Sequence, residues 1–191
     1  MPAVKKKSGK KGGGKKSGKK TGLYMKSILT RKIVIQFNNL GSNLQDILAH
    51  YLKTSLEGKC IIEGFVRPSS TNLLHYTAGR VTENGCSFEV VFEAHICKPV
   101  EGMKIKCVVK NVTKAGIRAE RGTSPSPIIV FIARDHNYSN KYFSTIKEGN
   151  TIRVQVIGIR YELNDKYISI LAELLPEKKA KKKKVQLMMT T

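Results

Sequence analysis

The clearest periodic pattern in the chain lies between positions 86 and 96, where apolar and polar residues alternate. The apolar set comprises Cys86, Phe88, Val90, Phe92, Ala94 and Ile96. A period of two is typical of a strand that buries one face. Lys98 and Pro99 follow at once, and proline cannot donate a hydrogen bond to a strand ladder. We therefore predict one long strand here, with a domain boundary after residue 100.

A strand followed by a helix is predicted upstream. Residues 23–37 are rich in β-formers and end in KIVIQF, which favours a strand. Ser42 followed by Gln45 matches a capping box at the start of a helix. The apolar positions then recur at helical spacing, as Leu44, Ile47, Leu48, Tyr51 and Leu52. This stripe predicts an amphipathic helix that packs on a sheet and ends at Gly58.

Two further strands are predicted between the helix and the long alternating strand. The segments are CIIEGFV and LLHYTAGRVT, separated by the turn-forming sequence SSTN. Asn84-Gly85 follows the second of them, and this pair is typical of a tight hairpin turn.

Five short strand-like segments follow the boundary. They are MKIKCVVKNV, GIRAE, IIVFI, NTIRVQVIGI and KYISILAEL, with a polar stretch at residues 134–146 between the third and the fourth. Five strands with one excursion before the fourth fit an OB-type barrel, and closure removes exposed strand edges. Periodicity alone also allows a small sandwich.

Charge divides the chain into a mildly basic body and two strongly basic tails. Residues 1–20 hold nine lysines and no acid, and residues 176–191 hold six lysines and one glutamate. Removing these +9 and +5 contributions from the formal +21 leaves +7 on residues 21–175. Lysine runs with Gly and Ser have little to bury, so we predict disordered tails at residues 1–22 and 176–191. The tails serve solubility or nuclear import, or they bind nucleic-acid phosphates without sequence preference.

Several classes of site are not supported by the sequence. The four cysteines (Cys60, Cys86, Cys97 and Cys107) show no C-x-x-C spacing, so we expect no zinc and read them as reduced thiols of an intracellular protein. Asp46, Asp135, Asp165 and the four histidines are scattered. We therefore expect no catalytic site and no cofactor. No apolar run reaches the roughly 20 residues that a membrane helix requires, so no membrane partner is expected.

Basic and aromatic residues of the predicted barrel are candidates for binding single-stranded RNA. Lysines can follow phosphates while aromatic rings stack on bases. The alternative is an ordinary solvated strand face, where charged residues are common. The RNA-binding candidates are Lys110, Lys114, Arg118, Arg121, Arg134, Tyr138, Lys141 and Tyr142.

Three stretches, taken in order, resemble the stalk subunits of RNA polymerases, the family of the seventh subunit of eukaryotic polymerase II and its archaeal counterpart. The first is LYMKSILTRKIVIQFNNLGSNLQDILAHYLKTSLEGKC. The second, GRVTENGCSFEVVFEAHICKPVEGMKIKCVVKNVTKAGIRAE, contains the family's Lys/Arg-Pro-x-x-Gly junction at Lys98, Pro99 and Gly102. The third, IRVQVIGIRYELNDKYISILAELL, is similar to the family's last two strands. The resemblance covers residues 23–175.

The resemblance implies a mainly β protein of the α+β class with two domains. A truncated ribonucleoprotein-like domain at residues 23–100 would dock on the polymerase core, and an OB-fold barrel at residues 101–175 would bind emerging RNA. The docking candidates are Phe37, Leu40, Gly41 and Asn43. Where the family carries aromatics after the glycine of the first barrel hairpin, this chain has Ile117 and Arg118, and only the arginine plane can stack on a base.

The resemblance also implies partners and a location. The partners would be polymerase core subunits, a smaller stalk subunit and single-stranded RNA, with nucleotide addition left to other subunits. The divergence fits a polymerase of a large DNA virus as well as a divergent cellular one. The expected location is the nucleus, or a viral factory or virion if the chain is virus-encoded. The alternative function is an OB-fold RNA-binding factor of translation initiation or of the exosome.

Overall fold

A computed structural model of the chain describes residues 22–121, 126–137 and 142–176. The predictions for the tails at residues 1–21 and 177–191, and for Tyr138 and Lys141, fall outside these ranges. Within them the chain forms one α-helix, α1 (Leu44–Leu56), and eleven strands. The strands are β1 (Met25–Ile35), β2 (Cys60–Ile61), β3 (Gly64–Val66), β4 (Asn72–Tyr76), β5 (Arg80–Thr82), β6 (Gly85–Cys97), β7 (Lys104–Val112), β8 (Gly116–Arg121), β9 (Ile128–Ala133), β10 (Thr151–Arg160) and β11 (Ile168–Leu174).

The N-terminal sheet is built around β6, the strand with the alternating pattern. Strand β1 pairs along one edge of β6, and β3, β4 and β5 pair along the other. The predicted inward set of β6 is buried except for Cys86, which is half-buried. Leu48 and Leu52 of α1 are completely buried with Phe92 in the same core. The alternation therefore correctly identified which face of β6 the helix covers.

The start of α1 differs from the capping box predicted at Ser42 and Gln45. The helix begins at Leu44, and Asn43 is its N-cap. The Asn43 side-chain amide donates a hydrogen bond to the Asp46 carboxylate. The Asn43 side chain makes no capping hydrogen bond to a backbone amide, so the capping box predicted at Ser42 and Gln45 was wrong, and the N-cap lies one residue later than Ser42.

Three other local predictions were wrong. Tyr51, placed in the apolar stripe of the helix, is 46% exposed. The segment CIIEGFV forms two short strands, β2 and β3, instead of one, and LLHYTAGRVT likewise forms two, β4 and β5. Gly64 begins β3 at φ +135°, and a Cβ there would lie 2.4 Å from the Cys97 carbonyl oxygen. Only glycine allows the close approach of β3 to β6 at this point.

Strands β7 to β11 form a closed barrel in the order β7-β8-β9-β11-β10, with β10 returning to β7. Strand β11 is parallel to β9, and the other pairs are antiparallel. Ile105, Ile117 and Ile152 are among the fully buried side chains of its interior. A closed five-stranded barrel is consistent with the predicted OB-like fold and excludes the sandwich. The ribonucleoprotein-like character of the N-terminal sheet stays a prediction.

The loop between β10 and β11 joins the barrel to the N-terminal sheet. The Cys60 amide donates to the Asp165 carbonyl at 2.8 Å, and the Asn164 amide donates to the Cys60 carbonyl at 2.9 Å. The Tyr161 hydroxyl donates to the Ile62 carbonyl at 3.1 Å. Phe65 of the sheet is buried in the barrel core. The two parts are therefore held by backbone pairing and by a shared apolar core.

Candidate nucleic-acid interface

An exposed aromatic ring lies at the centre of the barrel surface. Phe131 on β9 is 44% exposed, whereas its neighbours Val130 and Ile132 are buried. The strand registers place Phe131 opposite Arg118 of β8 on one side and opposite Leu171 of β11 on the other. Leu171 in turn lies opposite Gly158 of β10. We call Arg118, Phe131, Leu171 and Gly158 the platform row; across four strands it spans about 14 Å.

Two shallow clefts open on either side of the Phe131 ring. One, of about 310 Å³, is lined by Phe131, Arg118 and the turn around Gly116. The other, of about 320 Å³, is lined by Phe131, Leu171 and Gly158, among others. Gly158 carries no side chain and a Cβ there would meet no atom within 4 Å, so the second cleft is open at that strand. An exposed ring between two open clefts suits stacking of unpaired bases.

The platform row ends in Arg118 on β8, and Arg160 lies near its other end on β10; each arginine is close to a carboxylate. Arg118 lies 3.6 Å from the Glu120 carboxylate, which is also 4.0 Å from the Lys110 ammonium. Arg160, two residues after Gly158 along the chain, lies 3.7 Å from the carboxylate of Glu162. Lys110 is the extra residue of a β-bulge, because Val109 pairs with Ala119 and the next pair joins Asn111 to Arg118. Phosphates that bind here compete with the acids for these cations.

The turn between β7 and β8 is ordered by Thr113 and lies next to Arg134. The Thr113 hydroxyl donates to the Gly116 carbonyl at 2.9 Å and accepts from the Gly116 amide at 3.2 Å. The Arg134 amide donates to the Ala115 carbonyl at 3.1 Å. Its guanidinium lies 5.6 Å from the centre of the Phe143 ring. The candidates Lys114 and Arg134 are therefore on neighbouring loops at one end of the platform row, with half-buried Tyr142 beside Phe143.

Arg121, another RNA-binding candidate, is separated from this surface. It shares the strand face of Ile117 and Ala119, which point into the barrel. Burial raises the pKa of the Cys97 and Cys107 thiols to about 12, and the positive charge of Arg121 acts in the opposite direction on both. Arg121 therefore lies near these thiols at the end of the barrel and away from Phe131.

The docking candidates lie where β1 ends and α1 begins. Phe37 is 49% exposed, Leu40 packs against the core of the N-terminal sheet, and Asn43 caps the helix. Gly41 is exposed and faces the end of the Ile47 side chain. A cleft of about 750 Å³ opens beside them. It is lined by Val34, Ile35, Gln36, Asn39, Asp46, Ile47, His50, Tyr51 and Thr54. Phe37 is thus the docking candidate with an exposed side chain, and Leu40 and Asn43 have structural contacts.

Sequence reasoning missed three of the four residues in the platform row. Phe131 lies in IIVFIA, an apolar run without alternation, so periodicity could not show which side chain faces outward. Leu171 and Gly158 are on strands whose pairing with β9 and β11 is set by closure of the barrel. Only Arg118 was identified, because it follows a glycine in a hairpin.

Other kinds of site are not visible in the described ranges. No group of three or more His, Cys, Asp or Glu side chains there is arranged to hold a metal ion. In the same part of the chain, no helix combines the length and the apolar character needed to cross a bilayer.

Comparisons with known proteins bear on the polymerase resemblance. No protein-family model matches the chain. The chain is 28% identical over 169 residues to a protein of Acanthamoeba polyphaga mimivirus named "Putative DNA-directed RNA polymerase subunit L376", with 80% of this chain and 82% of that protein covered. An uncharacterized protein of Methanocaldococcus jannaschii, MJ1198, has a TM-score of 0.34 and 20% identity, over 42% of this chain and 99% of that one; this similarity is too low to establish a common fold. The similarity to the viral protein supports an RNA polymerase subunit family for this chain.

Proposed function

We propose that the chain is a stalk subunit of a DNA-directed RNA polymerase, which docks on the core through the Phe37 end of its N-terminal sheet and holds emerging single-stranded RNA on its barrel. Similarity to a viral protein named as a polymerase subunit, over 80% of the chain, supports the polymerase part. Nucleotide addition is left to other subunits, and a smaller stalk subunit is a further proposed partner.

The observation that carries the RNA-binding part is the platform row. Phe131 offers an exposed π-face, Leu171 and Gly158 continue a low apolar surface beside it, and arginines lie at one end and near the other. Stacking on an aromatic ring tolerates any base, since every base has a π-face. Such a surface suits a transcript whose sequence changes continuously as it leaves the polymerase.

A direct test uses a photo-reactive amino acid at position 131 in a transcribing complex. We expect the crosslink to join the nascent transcript, and an exposed position of the N-terminal sheet, Val81 on β5, serves as the matched control. Crosslinks from position 131 that reach only protein would show that the platform row is a protein-docking surface.

The docking part is tested separately by affinity purification of the full-length chain. We expect co-isolation of the large polymerase subunits, and we expect Phe37→Ala to reduce it. Ile62→Ala is the control, because Ile62 is 68% exposed in the turn between β2 and β3, which lies at the opposite end of β6 from the turn that holds Phe37. Leu40 is unsuitable for this test because it packs in the sheet core. Recovery of ribosomal subunits or exosome ring proteins in place of polymerase would reject the proposal.

A further inference from the structure

Three cations on strands β7 and β10 form a second basic surface of the barrel. Lys104 and Lys106 are exposed on β7, and Arg153 is half-buried on β10. Ile105 and Cys107 of β7, and Ile152 and Val154 of β10, are buried in the barrel, so the alternating residues must face outward. We call Lys104, Lys106 and Arg153 the cation strip.

The cation strip contains an unfavourable pair of like charges in directly opposed positions. Lys106 lies directly opposite Arg153 in the β7–β10 ladder, and like charges in directly opposed positions destabilise a sheet. Among the described residues no carboxylate lies within 4.0 Å of Lys104, Lys106 or Arg153, whereas Lys110 and Arg118 share Glu120. Self-repulsion without a compensating acid is a local conflict of the kind that functional sites retain.

The acids nearest along the ladders are separated from the cation strip by neutral residues. Glu173 lies beyond Gln155, which faces Lys104. Glu120 lies opposite Val108, the next outward residue after Lys106 on β7. The strip is therefore an unbroken patch of positive charge on the barrel surface.

From this arrangement we propose that the cation strip binds the phosphate backbone of the same RNA that stacks on the platform row. Lys104 and Lys106 are two residues apart on one strand face, about 6.8 Å, a step comparable to that between neighbouring phosphates of an extended strand. Phosphate contacts position a nucleic acid without reading its sequence. The inference rests on the proposed RNA-binding function and adds a second contact surface to it.

Two features favour RNA over an acidic protein as the ligand. The strip reaches the platform row along β7, past Val108 to the bulged Lys110, and from there to Arg118 on β8. Protein interfaces centre on large apolar anchors and are depleted in lysine. The strip contains no aromatic residue, and Val108, the next outward residue on β7, is 40% exposed.

The test measures binding of the full-length chain to labelled, unstructured RNA by fluorescence anisotropy over a series of salt concentrations. The double variant Lys104→Gln/Lys106→Gln should reduce the slope of log affinity against log salt by about 1.4, because each single-strand phosphate contact contributes about 0.7. The loss should be similar on every RNA sequence. Lys53→Gln/Lys166→Gln removes the same charge from exposed positions outside the barrel strands and should leave the slope unchanged.

Thermal unfolding provides a readout that does not depend on RNA. Lys106→Gln should raise the unfolding midpoint, because it removes the like-charge pair with Arg153. Lys104→Gln should leave the midpoint unchanged, because Lys104 faces the neutral Gln155. A midpoint lowered by Lys106→Gln would contradict the self-repulsion on which the inference depends.

The outcomes separate this inference from the proposed function. If the lysine variant keeps the full salt slope while Phe131→Ala weakens binding, the cation strip is rejected and the platform row stands. If neither variant changes RNA binding, both proposals fail. If RNA binding is kept but the lysine variant no longer co-isolates polymerase, the strip is a surface for acidic protein and the inference is overturned.

Discussion

The guanidinium of Arg118 lies 3.6 Å from the carboxylate of Glu120, two residues further along the same strand. The same carboxylate is 4.0 Å from the Lys110 ammonium on the neighbouring strand. Glu120 therefore partly neutralises two of the cations that were candidates for RNA phosphates. Its side chain is 22% exposed, so it is less accessible to solvent than either cation.

Glu120→Gln should strengthen RNA binding by about fivefold at low salt, since one unit charge at 4 Å in water is worth about 1 kcal/mol. The gain should disappear at high salt, where exposed charges are screened. Titration of labelled RNA at two salt concentrations measures both effects.

Glu93→Gln is the control for this prediction. Glu93 also forms an ion pair, with Lys26 at 2.8 Å, but it is in the N-terminal sheet. An equal gain from both variants would show that only net charge matters and that Glu120 has no local effect on the RNA surface.

Phe131→Leu should weaken RNA binding by about 1–3 kcal/mol, the range measured for loss of one stacked base. The leucine keeps apolar area but has no π-face. Phe131→Tyr retains the ring and should bind as the unchanged chain does. Because Phe131 is 44% exposed, the urea midpoint should change little. A Leu variant that binds RNA normally would show that Phe131 does not stack on bases.

The sequence predicted strands and their orientation where one face of the element is buried and the other is exposed to solvent. The alternation in β6 predicted both the strand and its inward residues, and all five barrel strands were identified. Which residues lie opposite each other on neighbouring strands depends on the register of the pairing. The hydrophobic pattern of a single segment does not determine this register. The pairing of Arg118 with Phe131 follows from the β8–β9 register and could not be read from either segment alone.

The predicted RNA-binding residues lie on different faces of the barrel, because their positions also depend on strand pairing. Lys110, Arg118 and Arg121 are close in sequence, and all three were predicted to bind RNA. Strand parity places Arg121 on the inward face with Ile117, and the bulge at Lys110 places that lysine beside Glu120. A bulge changes which residues share a face, and its position was not visible in the alternating pattern of β7.

Asn137 is a buried side chain that links the carboxyl ends of two neighbouring parallel strands, β9 and β11. Its side-chain amide donates to the Ala133 carbonyl at 2.9 Å, and its side-chain oxygen accepts from the Leu174 amide at 3.0 Å. The residue is 3% exposed. Asn137→Ala should lower the free energy of unfolding by about 1–3 kcal/mol, because buried backbone groups lose hydrogen bonds. Urea denaturation measures this, and Asn111→Ala at an exposed site should cost much less.

Glu57, directly after α1, organises the turn that follows β3. Its carboxylate accepts hydrogen bonds from the Ser69 amide at 2.7 Å, from the Thr71 amide at 3.0 Å and from the Thr71 hydroxyl. Burial acts to raise the pKa of Glu57, but these hydrogen bonds and one from the Ser70 amide outweigh it. The pKa therefore lies below its ordinary value of 4.5.

The pH dependence of stability follows from this lowered pKa. A carboxyl that binds its proton more weakly in the folded state stabilises the fold above its unfolded pKa, and this contribution is lost as the pH falls through the folded pKa. Glu57→Gln should therefore be less stable than the unchanged chain at pH 7, and the difference should shrink progressively below pH 4.5. Urea midpoints measured from pH 7 to about pH 3 test this. Glu83→Gln, in the exposed turn before β6, removes the same charge at a site of the described chain where no hydrogen bond reaches the side chain, and its difference should stay small throughout. A Glu57→Gln difference that grows as the pH falls would reverse the sign and show that burial dominates the pKa of this carboxyl.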